Sequence, residues 1–336
     1  MPTLSIIIPV YNAGYFLDDC IKSVSSQSFY DIEIICVDDG STDNSPILLD
    51  QWSRLDNRVK VIHKENSGVS SSRNAGLRNA SGRFVTFVDA DDLVRHDIYS
   101  VSMSLIDNNY LDILIFAFET IPNKKIEKTG FPTNQILSYQ QLFSSNSRIQ
   151  SRNALCYNWR FVFRADILKD NSIFFDESIS IGEDMVFNIE AICHAKRIMA
   201  IDDALYFYRR NNPNSAMSKG YKPGLEDSLH RMYQHKLRQL KDYQLDIHNS
   251  YVNDLAIYTV TVYLKMLIDN LFYHKSGKCH SNEIKRILSL PYIRYAYRII
   301  GNKNVYSSKT EYLFYLLQKY RVMIVVTLVY NRYYGR

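Results

Sequence analysis

The chain has 336 residues, 46% of them hydrophobic and 22% charged, with 26 tyrosines and a formal net charge of +5. That is ordinary globular composition, able to bury a real core and long enough for two domains or one large domain with an extension. Five cysteines (20, 36, 156, 193 and 279) without CxxC spacing fit reduced thiols of a cytosol rather than a disulfide framework, the start MPTLSIIIPVYN lacks the basic n-region of a signal peptide, and no run approaches the ~18 apolar residues of a spanning helix.

The first hundred residues alternate between two periods. LSIIIPV (4–10) is a continuous apolar run, as in a parallel strand covered on both faces. Residues 14–26 then place Phe16, Leu17, Cys20, Ile21 and Val24 at helical spacing. IEIICVDD (32–39) reads as a second buried strand, with Cys36 a small core residue, and it stops at the turn and capping cluster DDGSTDNS. A helix over 46–55, a strand over 59–65, a helix over 70–80 and a strand over 83–89 follow. Alternation of this kind predicts an α/β fold whose mixed, mainly parallel sheet carries helices on both faces. In such sheets ligands bind beyond the carboxyl ends of the strands, and Pro9, Asp38–Asp39 and Asp89–Asp92 all fall at such ends.

Beyond Asp97 the pattern mixes. LDILIFAFE (111–119) reads as a strand, KKIEKTGFPTNQ (124–135) as a polar hairpin or loop, 154–169 and 182–195 as containing helices, and 197–210 as two short strands. From about Pro223 the chain reads as helical to its end, with polar breaks near 275–282 and 301–308. This sets a boundary near 220, giving an α/β domain over 1–220 and a basic, tyrosine-rich helical C-terminal region over 221–336.

FVTFVDADDLV (84–94) places Asp89, Asp91 and Asp92 directly after an apolar run. Acidic residues at a strand end can cap the next helix. They can also hold a hard cation, since Mg²⁺ and Mn²⁺ favour a few carboxylates completed by oxygens of substrate phosphates. A divalent ion would relieve the repulsion between Asp89 and Asp91. A second acidic pair, Glu183 and Asp184 in SIGEDMVFNIEA, follows Gly182 at a helix N-terminus, where the helix dipole alone favours carboxylates.

Taken together, IIIPVYNAGYFLDDCIKSVSSQSF, IEIICVDDGSTDNS and NSGVSSSRNAGLRNASGRFVTFVDADD resemble, in order and spacing, the family 2 glycosyltransferases. The likeness is dense over 4–97, continues through LYFYRR near 210 and fades in the helical tail. It implies the GT-A fold and an inverting, nucleotide-sugar-dependent hexosyltransferase-type enzyme of bacterial capsule, O-antigen or exopolysaccharide assembly. On that resemblance Pro9, Tyr11 and Asn12 belong to the nucleoside pocket, with a core role the alternative for Tyr11. Asp39 accepts from the base imide of a uridine nucleotide, whereas helix capping fits Asp43 better. Arg73 and Arg209 reach the diphosphate, a surface ion pair being the alternative for Arg73. Asp89 holds the ribose or the metal, Asp91 is the direct ligand of Mn²⁺ or Mg²⁺, and Asp92 orients Asp91 or caps the next helix. Asp184 is the catalytic base and Glu183 orients it or the acceptor. Trp159 lies near the saccharide acceptor or packs in the core, and NNPNS after Arg210 suits a mobile lid. A nucleotide- or carbohydrate-binding module of the same fold without transfer activity is the second reading. A nucleotidyltransferase would need a glycine-rich basic triphosphate loop that is absent near the first strand.

Charge is segregated. Residues 275–336 hold 12 Lys or Arg against two Glu, and ten tyrosines, so the preceding 274 residues carry a balance of −5. For TEYLFYLLQKYRVMIVVTLVYNRYYGR (310–336) three readings stand: a helix on the anionic inner face of the cell membrane, where each basic residue contributes ~1 kcal/mol, a subdomain packed on the core, or an oligomer contact. The first fits a cytoplasmic, peripheral enzyme acting on lipid-linked saccharides. No nucleic-acid-binding motif is visible.

Overall fold

The computed structural model describes residues 1–210, 220–246, 250–274 and 281–301. The alternating patterns of the first hundred residues become β1 (Leu4–Val10), α1 (Leu17–Ser25), β2 (Ile32–Asp38), α2 (Ser45–Leu55), β3 (Val59–His63), α3 (Val69–Asn79), β4 (Phe84–Phe87), a short β5 (Leu93–Val94) and α4 (Ile98–Asn109). There follow β6 (Ile113–Ile121), β7 (Lys125–Glu127), β8 (Ile136–Leu137), α5 (Tyr139–Ser145), β9 (Phe161–Arg164), α6 (Ala165–Asp170), α7 (Glu183–His194) and β10 (Ile198–Arg209).

The strands form one sheet in the order β3-β2-β1-β4-β9-β6-β10-β5, with β7 beside β6 and β8 beside β10. β3, β2, β1 and β4 run parallel, as do β6 and β10, while β9 lies antiparallel between β4 and β6. Every residue of β2 is buried, which is why its sequence shows an apolar run instead of alternation. Helix α3 packs so closely on β1 that a Cβ on Gly76 would sit 2.4 Å from Cγ2 of the fully buried Ile7. Only glycine permits that approach, and it brings the first turns of α3 to the strand ends.

Two expectations are corrected here. The helix expected within 154–169 is confined to Ala165–Asp170, and Phe161–Arg164 is a strand in the middle of the sheet. Three apolar residues and an arginine inside a helix-length pattern carry too short a signal to separate the two periods. The segment 197–210 is one strand, with register shifts between Ile201 and Ala204 and between Ala204 and Tyr206, a bulge-type irregularity that broke the pattern into two.

The described residues fall into two compact units, one formed by 1–146 and 155–210, the other by 147–154, 220–246, 250–274 and 281–301. A single cut near 220 therefore does not separate them. Within the second unit, the Asp254 carboxylate accepts from the amides of Gln150 (2.5 Å) and Ser151 (3.2 Å) and from the Ser151 hydroxyl (2.5 Å), which ties the early segment to the helices. Those helices are α8 (Leu225–Asp242), α9 (Ser250–Tyr258), α10 (Leu264–His274), α11 (Ser281–Leu288) and α12 (Pro291–Ile300), with a π-helical turn at Thr259–Tyr263. Lys236 is fully buried among them, its ammonium 4.1 Å from the centre of the Tyr258 ring, an attraction that offsets part of its desolvation. The run Ser250–Tyr273 is long and apolar enough on average to cross a membrane by length and composition, but Asp254, Lys265 and Asp269 interrupt it and 56% of its apolar window is buried in protein, as in a core helix. The segments NNPNS and 310–336 lie outside the described residues.

Candidate active site

The parallel register of β1 with β2 and β4 aligns their carboxyl ends, with Val10 opposite Asp38 and Ile7 opposite Phe87. The chain leaving each end carries one part of the site. At the end of β1 Pro9 is partly buried; beyond it Tyr11 is 54% exposed and Asn12 takes a left-handed backbone (φ +49°). The Asn12 Oδ1 accepts from the amides of Thr42 (2.8 Å) and Asp43 (3.3 Å), and its own amide donates to Ser41 Oγ (3.0 Å). Asn12 thus laces the first strand–helix turn to the turn after β2. Asp43 accepts from the amides of Gly14 (2.9 Å) and Ser45 (3.0 Å) at the start of α2.

Asp39 is buried, and both carboxylate oxygens are engaged. Oδ1 accepts from Lys64 Nζ and the Ser67 amide, and Oδ2 from the Gly68 amide at 2.8 Å. It therefore shapes the loop leading into α3.

The three aspartates after β4 separate into three environments. Asp92 is 1% exposed; its Oδ2 accepts from the Tyr206 hydroxyl (2.8 Å) and its Oδ1 from the Arg209 amide (2.6 Å). The same Tyr206 hydroxyl accepts from the Asp89 amide (3.1 Å). Asp92 thus pins the aspartate turn to β10 and neither caps the next helix nor faces solvent. Burial holds its carboxyl pKa well above the usual range, and the charges of Asp89 and Asp91 add to the effect. Asp89 keeps 29% of its side chain exposed and accepts from Arg73 Nη2 at 3.2 Å. Burial also raises its pKa, against the lowering pull of Arg73. Asp91 stands partly exposed at the tip of the turn.

Arg73 joins the two acidic motifs. From α3 its Nη1 donates to Glu183 Oε1 at 2.7 Å while Nη2 reaches Asp89, so residues 110 apart in the chain meet in one buried ion cluster. Its guanidinium lies 5.4 Å from the centre of the Phe175 ring, and Phe175 stacks on Phe187 of α7 at 4.0 Å. The neighbouring Asn74 fixes Phe175 through both main-chain groups, at 2.8 and 2.9 Å. Burial works against the charge on Arg73, but Asp89, Glu183 and Asp184 outweigh it and raise its pKa. Arg73 is 5% exposed and faces carboxylates, so it is neither a surface ion pair nor directed at solvent.

Glu183 and Asp184 occupy the first turn of α7, after Gly182 at φ +80°. Glu183 is buried, and burial together with the charge of Asp184 raises its pKa against Arg73. Asp184 is the more exposed of the two; its Oδ1 accepts from the Met185 amide and its Oδ2 from the Tyr157 amide, both at 2.7 Å. The carboxylate is held rigidly yet remains reachable.

Two expected residues sit differently. Trp159 is 2% exposed and stacked on Tyr206 at 4.1 Å, which takes it out of reach of an acceptor and into the core. Arg209 turns its guanidinium over Phe16 at 4.6 Å, with a buried Nε that has no hydrogen-bond partner. Tyr206, Phe175 and Tyr157, which hold Asp92, Arg73 and Asp184, escaped the sequence reading. The alternation in LYFYRR would have placed Tyr206 and Tyr208 on one face of a strand.

Among the described residues no group of three or more His, Cys, Asp or Glu side chains is placed to hold a metal ion. Asp89 and Asp91 nevertheless suit a hard cation of the Mg²⁺ or Mn²⁺ kind, which needs only one or two protein carboxylates when substrate phosphates complete its shell.

The chain matches the family model described as Glycosyl transferase family 2 over residues 5–171. It is 31% identical over 335 residues to the uncharacterized glycosyltransferase EpsJ of Bacillus subtilis (strain 168), covering 99% of this chain and 96% of that protein. It is 28% identical over 224 residues to the poly(ribitol-phosphate) beta-N-acetylglucosaminyltransferase TarS of Staphylococcus aureus (strain MW2), covering 66% of this chain and 38% of TarS. The crystal structure of S. aureus TarS 1-349 in complex with UDP-GlcNAc shares the fold with a TM-score of 0.65 at 22% identity, over 99% of this chain and 92% of that one; the same fragment in complex with UDP gives 0.64.

Proposed function

The chain belongs to glycosyl transferase family 2, and we propose that it moves a sugar from a UDP-linked donor to a saccharide hydroxyl with inversion at the anomeric carbon, in assembly of a bacterial surface polymer. The observation that carries this reading is the Arg73 bridge, which gathers the strand-end aspartates and the Glu183–Asp184 pair into one site at the carboxyl edge of the sheet. The UDP and UDP-GlcNAc complexes of TarS support the choice of donor. In this reading 1–220 carries the chemistry, 221–336 is the helical region, and the enzyme works on the cytoplasmic side, where nucleotide sugars are made.

The crevice at the ends of β1, β2 and β4 receives the nucleotide, with Pro9, Tyr11 and Asn12 along one wall and Asp39 shaping its floor. Asp89 and Asp91 would hold a divalent cation, which when bound supplies a Lewis acid for the departing diphosphate. Arg209 lies one residue from Tyr208 at the same rim and offers a second positive charge. On the other side Asp184 accepts the proton of the acceptor hydroxyl as its oxygen attacks the anomeric carbon. The new carbon–oxygen bond forms as the bond to the diphosphate breaks, UDP leaves with the electron pair, and the proton stays on Asp184. Glu183, buried against Arg73, positions Asp184 and does not touch the acceptor.

The donor half is tested by Asp91→Asn. With Mn²⁺ present, UDP affinity measured by calorimetry is expected to fall by at least about tenfold in the variant and to become independent of added chelator. An unmodified chain that bound UDP equally with and without Mn²⁺ would remove the cation from this proposal.

A further inference from the structure

Between α6 and α7 the chain carries no helix or strand, and one residue of that stretch is held from outside it. Asn74, buried on α3, takes both main-chain groups of Phe175. Its Oδ1 accepts from the Phe175 amide at 2.8 Å, and its Nδ2 donates to the Phe175 carbonyl at 2.9 Å. The same Nδ2 donates to Glu177 Oε1 at 2.9 Å. A carboxamide accepts and donates side by side in this way; an aspartate lacks the donor, and a leucine lacks both groups.

The Phe175 ring stands where three elements meet. It lies parallel to the Phe187 ring with centres 4.0 Å apart and planes within 4°, meets Phe87 edge-on at 5.5 Å, and has the Arg73 guanidinium 5.4 Å from its centre. Phe87 closes β4 two residues before Asp89, and Phe187 follows Asp184 by three residues on α7. Phe87 and Phe187 also meet each other edge to face, at 5.9 Å. One buried ring therefore abuts the strand that leads to the aspartates, the helix that carries Glu183 and Asp184, and the arginine that joins them.

Resting on the glycosyltransferase reading, we propose that Asn74 is a positioning residue of this site. Acting through Phe175, it sets how far Asp184 stands from the carboxylates of the aspartate turn, and it touches neither donor nor acceptor. The ion pairs of Arg73 draw the two acidic motifs together. Packed rings supply the opposing limit, because close-packed interiors yield little and transmit a displacement to their neighbours. A ring tied down by two main-chain bonds thus gives the attraction a fixed end point. The spacing matters for the chemistry, since a misplacement of about 1 Å caused far from the reacting atoms can cost about 10²-fold in rate.

The test uses the full chain with Mn²⁺ and a panel of UDP-sugars, following UDP released to water per UDP-binding site counted by calorimetry. Asn74→Ala and Phe175→Leu are each expected to lower that rate by about 10–100-fold, with UDP affinity within about threefold. Leu229→Ala, which opens a cavity at a fully buried position of α8, is the destabilised control, and its rate per site is expected to stay unchanged. A second readout needs no turnover. The NMR signal of the buried Arg73 Nε–H, assigned by its absence in Arg73→Lys, should move in Asn74→Ala toward its position in Phe175→Leu, which has no ring beside the guanidinium. Rates within about threefold of the unmodified chain in both variants, an equal fall in Leu229→Ala, or an unmoved Nε–H signal in Asn74→Ala would overturn the proposal. A signal that moves in a chain releasing UDP from no sugar would uphold the hold of Asn74 on the site and count against transfer.

Discussion

Asp184→Asn is expected to lower turnover by about 10²–10⁴-fold, the range of a positioned general base, while leaving the affinity for a UDP-sugar within about threefold. The expectation follows from where Asp184 sits. Of the two acidic residues that open α7 it is the more exposed, and the amides of Tyr157 and Met185 fix its orientation. Asparagine keeps the shape and loses the ability to take a proton. It also turns an amide NH₂ toward one of the two main-chain donors, a loss of about 1 kcal/mol, so a melting curve belongs beside the kinetics. Glu183→Gln serves as the contrast: Glu183 is buried on Arg73, and its replacement acts on the placement of Asp184 and on stability. Near-normal turnover in Asp184→Asn, with loss in Glu183→Gln, would exchange the two roles.

Arg73→Met should have the largest effect on stability. Methionine fills much of the arginine volume but leaves the buried Glu183 and the part-buried Asp89 without their cation, and breaking a buried ion pair from one side costs about 3–5 kcal/mol. The pH dependence carries a sign. Burial and Asp184 already raise the pKa of Glu183 against the pull of Arg73, so removing Arg73 raises it further. The folded variant then binds a proton that the unfolded chain does not, and its stability falls as pH rises through that raised value. The deficit relative to the unmodified chain should therefore shrink as the pH is lowered and Glu183 becomes neutral, and grow as the pH is raised. Adding Glu183→Gln to Arg73→Met should recover part of the loss at the higher pH. A deficit that stayed constant across this range, or a variant as stable as the unmodified chain, would mean that the cluster does not hold the site together.

Much of this arrangement was legible in the chain itself. Strands buried on both faces announce themselves as apolar runs, and the acidic residues that end them mark the crevice. The helical start at Glu183 followed from Gly182 and the carboxylates behind it. What stayed hidden depended on partners far away in sequence. Helical spacing placed Arg73 on α3, yet nothing local told that it would bridge to Glu183, 110 residues on. Asp92 looked like its neighbours until the Tyr206 hydroxyl and the Arg209 amide gave it a structural role. Trp159 belonged to a short strand-and-turn segment with the spacing of a helix, so its burial under Tyr157 and Tyr208 could not be read from periodicity.

The central claim is that one site, joined by Arg73, replaces UDP by an oxygen nucleophile from the opposite face. Its most direct test needs no acceptor. A panel of α-linked UDP-sugars, UDP-GlcNAc included, is incubated with the unmodified chain and Mn²⁺, and the anomeric proton of the sugar released to water is followed by NMR before mutarotation. The β-anomer is expected to appear first, and Asp184→Asn to slow its appearance. First appearance of the α-anomer, or no release from any donor, would contradict the claim.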